Sequence, residues 1–170
     1  MLDLSGIVSD SIVDGPGIRV TVFCQGCPHH CPGCHNPETW EFNCGTPMEE
    51  ERILEIVRSN PLCRGVTFSG GEPFAQGEAF AKLAKLLKAA GYEVASYSGY
   101  TFEQLLDGTP AQKELLGSLD VLIDGPFIQA QKSLELVFRG SRNQRILDVP
   151  KSLAAGRAIP VPQGRWTGDW

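Results

Sequence analysis

Residues 65–97 read GVTFSGGEPFAQGEAFAKLAKLLKAAGYEVASY, and this stretch decides the fold. Gly65-Val66-Thr67-Phe68-Ser69 has the β-branched and aromatic content of a strand, and Gly70-Gly71 closes it. From Gly77 to Ala90 the period changes. Phe80, Leu83, Ala84 and Leu87 fall on one helical face, Lys82, Lys85 and Lys88 take the other, and Gly91 ends the run. Tyr92 to Tyr97 is extended again. Strand, helix and strand joined by short turns predict a parallel β-α-β unit.

The same alternation continues on both sides. Upstream, Arg19-Val20-Thr21-Val22-Phe23 reads as a strand, and Thr46-Pro47-Met48-Glu49 as the start of a helix with threonine as N-cap and proline in the first turn. Ile53, Leu54, Ile56 and Val57 supply that helix's apolar face, and Asn60-Pro61 stops it. Downstream, Thr101–Leu106 and Ala111–Leu116 are helical, and Val121-Leu122-Ile123 is a short, fully buried strand running into Asp124-Gly125-Pro126. Leu136-Val137-Phe138 and Arg145–Val149 complete about six parallel strands. An eight-unit barrel takes about 250 residues, so a chain of 170 residues predicts an α/β fold with an open partial barrel. The expected domain spans residues 1–155, followed by a Pro- and Gly-rich tail, 156–170, that carries Trp166 and Trp170. In such folds function lies at the carboxyl ends of the strands.

Composition narrows the class. Hydrophobic residues make up 42% and charged residues 21%, a globular mixture. The net charge of −5 is the wrong sign for gripping nucleic-acid phosphates. No apolar run reaches the roughly 18 residues of a membrane span, and no basic, apolar leader opens the chain, so a cytoplasmic location is expected. Cys27, Cys31 and Cys34 have C-x3-C-x2-C spacing on a loop shaped by proline and glycine. Two readings follow. With His30 or His35 they make a closed tetrahedral zinc site, as in a zinc-binding interaction module. Alone they hold three irons of a [4Fe–4S] cluster and leave the fourth open. Cys24, Cys44 and Cys63 lie outside the spacing and read as buried apolar cysteines.

The context of the loop carries a family resemblance. Asp14-Gly15-Pro16-Gly17-Ile18-Arg19 precedes it, His35-Asn36-Pro37-Glu38-Thr39-Trp40 follows, and Ser69-Gly70-Gly71-Glu72 comes some thirty residues later. This order resembles the activating enzymes of glycyl-radical proteins, a branch of the radical S-adenosylmethionine superfamily. Tyr97-Ser98-Gly99-Tyr100, Ile123-Asp124-Gly125-Pro126-Phe127 and Phe138-Arg139-Gly140-Ser141-Arg142-Asn143-Gln144 resemble the branch that activates anaerobic ribonucleoside-triphosphate reductase, more than the formate-lyase branch.

The resemblance implies a radical S-adenosylmethionine oxidoreductase with Cys27, Cys31 and Cys34 as ligands of a [4Fe–4S] cluster. It implies reductive cleavage of S-adenosylmethionine, a glycyl radical placed on the reductase, and a flavodoxin- or ferredoxin-like electron donor. Ser69, Gly70, Gly71 and Glu72 would hold the amino group of S-adenosylmethionine, and Gly33 and His35, flanking Cys34, its adenine. Ser98 joins them at the rim. Asp124 faces the same rim as a contact for a monovalent cation or the ligand, or as the cap of the next turn. His29 and His30 read as polar loop residues, Asp14 and Arg19 as shapers of the entry loop, and Arg139 and Arg142 as partner contacts.

Overall fold

In the computed structural model, which describes residues 1–168, the chain opens with β1 (Leu2–Ser11) and β2 (Arg19–Cys24). The cysteine loop follows, then β3 (Thr46–Met48), α1 (Glu50–Arg58), β4 (Gly65–Gly70), α2 (Gly77–Ala89) and β5 (Glu93–Tyr97). The chain continues through α3 (Phe102–Leu106), α4 (Pro110–Gly117) and β6 (Val121–Asp124), and then β7 (Arg145–Asp148) and α5 (Val149–Ala155). One sheet runs in the order β3-β1-β2-β4-β5-β6-β7. Its centre is parallel and in register, with Val20 opposite Val66, Val66 opposite Val94 and Ala95 opposite Val121. The α/β class and the open partial barrel are therefore present, with four parallel strands rather than six. The pairs β1–β2, β1–β3 and β6–β7 are antiparallel.

The two-residue period of each strand sorts its side chains. Val20, Val22, Val66, Phe68, Val94 and Leu122 pack with the helices, where Phe80, Leu83, Ala84 and Leu87 of α2 meet Ile53, Val57, Leu115 and Leu116. This confirms the face expected of α2. Residues alternating with them (Ala95, Val121 and Ile123) pack with Trp166, Tyr97 and Phe138 in a second, smaller cluster. Thr101 and Thr109 cap α3 and α4, each in a reciprocal box with the glutamine three residues on.

Two expectations fail for tertiary reasons, and one strand has no counterpart in the sequence reading. Thr46-Pro47-Met48 does not open a helix. It lies along the outer edge of β1, with Leu2 opposite Met48 and Leu4 opposite Thr46, and the helix starts at Glu50. Leu136-Val137-Phe138 is a loop, not a strand: Phe138 has φ +58°, outside the extended region, and its ring packs edge-on against Trp166 at 5.6 Å. β1 has no counterpart in the sequence reading, because only Leu2, Leu4 and Ser11 of its ten residues are buried. Among the described residues no helix is long and apolar enough to cross a membrane.

The Pro- and Gly-rich tail folds back onto the sheet. Ile159 O accepts from Asp148 N and Val161 N donates to Ile146 O, so residues 159–161 run beside β7, and Leu147 bridges Pro160. Trp166 is 5% exposed and covers the guanidinium of Arg19 at 5.1 Å. Arg19 is fully buried. Its Nε donates to Thr67 Oγ1 at 2.9 Å, and its Nη atoms reach Glu93, Pro16 O and Val66 O. Gly65 lies flat against this guanidinium, where a Cβ would come within 2.7 Å of Nη2. Arg19 thus shapes the entry loop, as expected, and also anchors the tail. Trp170 lies outside the described residues. Replacing Trp166 with alanine removes this cover and is expected to destabilise the protein by about 3–5 kcal/mol, read as a lower urea midpoint with unchanged far-ultraviolet dichroism below the transition.

Candidate metal and cofactor site

The chain leaves β2 through Gln25 and Gly26 and enters the cysteine loop. Backbone bonds fix both flanks of that loop, Gly26 N to Thr39 O at 2.6 Å and Cys27 N to Trp40 O at 3.0 Å. The Gln25 amide ties the far side, reaching Glu38 O and Glu41 O. A tight turn, Cys34 N to Cys31 O at 3.0 Å, needs Gly33 in the left-handed region at φ +74°. The turn after β4 comes up against the same loop, with Gly71 N on Cys24 O and Glu72 N on Gly26 O, both at 2.8 Å. A side chain at position 71 would collide with Gly26 O, so the approach requires glycine.

These contacts place Cys27, Cys31 and Cys34 on the wall of one cavity of about 370 Å³, with Ser69, Gly70 and Gly71 from the end of β4 and Ser98 and Gly99 from the end of β5. Phe127, which follows β6, and His35 also line it, with their rings 5.0 Å apart. All three cysteines are free thiols. Cys34 Sγ accepts from Asn36 N at 3.4 Å. Burial pushes the Cys27 thiol above its ordinary pKa, and the bond from His29 N opposes that rise. Tetrahedral zinc with Zn–S of ~2.3 Å holds its sulfurs about 3.8 Å apart. The His, Cys, Asp and Glu ligand atoms that gather within 4.8 Å of one another, among the described residues, are those of Glu49, Glu50 and Glu51, not the loop thiols. Three free thiols bordering one cavity suit the three protein ligands of a [4Fe–4S] cluster.

Glu72 does not face this cavity. It is 0% exposed, and its carboxylate accepts from Phe74 N (3.1 Å), Gly99 N (2.8 Å), Ser98 Oγ (2.9 Å) and His29 Nε2 (2.6 Å). The cavity is bordered by the residues just before Glu72 and by Ser98, whose hydroxyl is turned to the carboxylate.

A family described as a 4Fe-4S single cluster domain matches residues 13–147. The anaerobic ribonucleoside-triphosphate reductase-activating protein of Escherichia coli (strain K12) is 36% identical over 141 residues, 78% of this chain and 90% of its own. The chain belongs to this activating-protein family. The pyruvate formate-lyase-activating enzyme of Clostridium pasteurianum is 39% identical over 115 residues, covering 62% of this chain but 48% of its own length. Escherichia coli QueE aligns with a TM-score of 0.48 and 20% identity over 59% of this chain and 53% of its own.

Within the family frame, several side chains take places other than those expected. Asp124 is 1% exposed and turned away from the cavity. It accepts from Phe102 N at 2.8 Å, capping α3, and from Arg145 Nε and Nη2 at 3.0 and 2.5 Å. Its oxygens are engaged by a backbone amide and a guanidinium, the capping role among its readings. Gly33 packs on the Gln129 side chain rather than lining the cavity, whereas His35 does line it. Asp14 lines it too, with Oδ2 held by Ser11 Oγ and Thr21 Oγ1. Arg139 borders the cavity and donates to Gln144 O at 2.9 Å, while Arg142 is exposed beyond it. The pair is split between two environments. His29, read as a bland loop residue, bonds the buried Glu72. Sequence held no signal for that contact, whose partners lie 43 residues apart.

The three remaining cysteines divide. Cys24 is buried, accepts from Gln76 Nε2 at 3.1 Å, and is kept a neutral thiol by burial and the Glu72 charge. Cys63 is half-buried against Gly65 O. Cys44 is exposed, contrary to the apolar reading, because it follows the loop in a solvent-facing turn. Cys27→Ala, Cys31→Ala and Cys34→Ala are each expected to lose the intact cluster, whereas Cys24→Ala, Cys44→Ala and Cys63→Ala keep it. Iron and sulfide per chain after anaerobic reconstitution measure this, and full content in Cys31→Ala would refute the ligand set.

Proposed function

We propose that this chain binds a [4Fe–4S] cluster through Cys27, Cys31 and Cys34, cleaves S-adenosylmethionine reductively and generates a glycyl radical on anaerobic ribonucleoside-triphosphate reductase. The observation that carries this reading is the shared cavity, with three thiols from one loop and the Gly70-Gly71 turn from another strand end on one wall. When bound, the cluster supplies the electron for cleavage and an open iron for the methionine end of the cofactor.

The chain's own residues bind, orient and exclude water. The Asn36 N–H donates to the Cys34 sulfur, and the backbone N–H groups of His29 and His30 oppose the rise that burial imposes on the Cys27 thiol. Ser69, Gly70 and Gly71 bring main chain rather than bulky side chains to the methionine end, and His35 with Phe127 supplies an aromatic edge for adenine. Tyr97 and Phe138 close the inner end, tied by Tyr97 Oη donating to Phe138 O at 2.8 Å. Glu72 supports this wall from behind rather than touching the cofactor. The reductase is favoured over a formate-lyase because the reductase-activating relative is matched over nearly its whole length and the formate-lyase relative over less than half. A flavodoxin- or ferredoxin-like protein is the proposed electron donor, in the cytoplasm.

Reconstituted protein given S-adenosylmethionine and dithionite without oxygen is expected to release 5′-deoxyadenosine. Added reductase should then show a glycyl radical by electron paramagnetic resonance. Absence of 5′-deoxyadenosine would overturn the chemistry, and a radical formed in a formate-lyase but not in the reductase would overturn the partner.

A further inference from the structure

His29 sits between Cys27 and Cys31, and it is bound at both its ends. Its backbone N–H opposes the rise that burial imposes on the Cys27 thiol. Its ring Nε2 lies 2.6 Å from Glu72 Oε1, and because an ionised carboxylate only accepts, that nitrogen carries the proton. The ring has a seat made for it. Tyr100 meets it edge-on at 4.5 Å, and a Cβ on Gly99 would fall 2.5 Å from its Cδ2, so glycine keeps the space open. Glu72 has no exposure to water, and the donors it accepts from are two backbone amides, one hydroxyl and this imidazole. Of the four, His29 alone comes from the cysteine loop.

We propose that His29 is a positioning residue: its imidazole pins the cysteine loop to the buried Glu72, and so sets the distance between Cys27 and the Gly70-Gly71 wall of the cofactor cavity. Among the described residues, the other bonds between the loop and that wall gather at its start, near Gln25 and Gly26. Without the imidazole the loop keeps its flanks and loses its centre. The cofactor consequence rests on the proposed cluster and S-adenosylmethionine chemistry, whereas the tether itself belongs to the chain alone.

Two substitutions separate the tether from simple packing. His29→Gln places an amide N–H at similar reach, and His29→Leu fills the seat without a donor. In the full-length chain without cluster, hydrogen exchange across residues 25–36 should accelerate about tenfold or more in His29→Leu, the loss of one bond to a buried charge. It should stay near wild type in His29→Gln, and the urea midpoint of both variants should shift little. In reconstituted protein, the S-adenosylmethionine dissociation constant, followed through the cluster's electron paramagnetic resonance signal, should rise about tenfold in His29→Leu and recover in His29→Gln. If His29→Leu does not fold, His29→Asn, whose amide stops a bond short of Glu72, replaces it in the comparison.

Wild-type exchange in His29→Leu would overturn the tether, as would a glutamine variant as defective as the leucine one. Faster exchange with an unchanged dissociation constant would overturn the positioning role. Failure of the wild-type chain to take up a cluster would instead count against the proposed function, and the exchange comparison would still decide the tether.

Discussion

A carboxylate with no contact with water must be satisfied inside the protein, and much of the site follows from how Glu72 meets that demand. An unpaired buried charge is among the most destabilising groups a fold can hold. Glu72 escapes this by drawing donors from the end of β5, the turn that follows β4 and the cysteine loop. Each donor constrains its own neighbourhood. Ser98 must turn its hydroxyl inward, position 99 must lack a side chain, and the loop must carry a histidine between its first two cysteines. The carboxylate organises three segments that are far apart in the sequence, at the point where the strand ends converge.

At the opposite end of the same strands, Arg19 solves the mirror-image problem. Burial alone would lower its pKa, and Glu93 opposes this. Its guanidinium spans β2, β4 and β5 through Thr67, Val66 O and Glu93, and Trp166 covers it. A full barrel would fill this interior with side chains from further strands. Here one buried cation and one tryptophan from the C-terminal tail take that place. The parallel centre is thus held by a buried anion at its functional end and a buried cation at its base.

What could be read from sequence was whatever local pattern determines. The α2 face, the buried β6 and the helix α3 rest on periodicity and on residues within a few positions, and they appear in the structure nearly where expected. β1 and β3 escaped because pairing with a neighbouring strand, not their own composition, makes them strands. Leu136-Val137-Phe138 has strand composition, but Phe138 is taken by Trp166 and bends out of register. In the site, the cysteine spacing is local and was legible. The partners of Glu72 and Asp124 are not, since His29 and Arg145 reach them from 43 and 21 residues away. Glu72 is drawn inward by those long-range donors, and Asp124 takes the capping role that was one of its readings.

Both edges of the sheet end in proline. On one side the outermost strand has three residues with Pro47 at its centre, and on the other the strip covering β7 places Pro160 opposite Leu147. Proline offers no N–H and is poorly suited to continue a ladder. The protein is thereby guarded against edge-to-edge aggregation, to which open sheets are prone. The same guard limits how it can meet a large macromolecule. β-Augmentation, in which a visiting segment adds a strand to an exposed edge, is disfavoured at both ends. Recognition is left to the loops at the cavity mouth, which can diverge in sequence without disturbing the sheet beneath them.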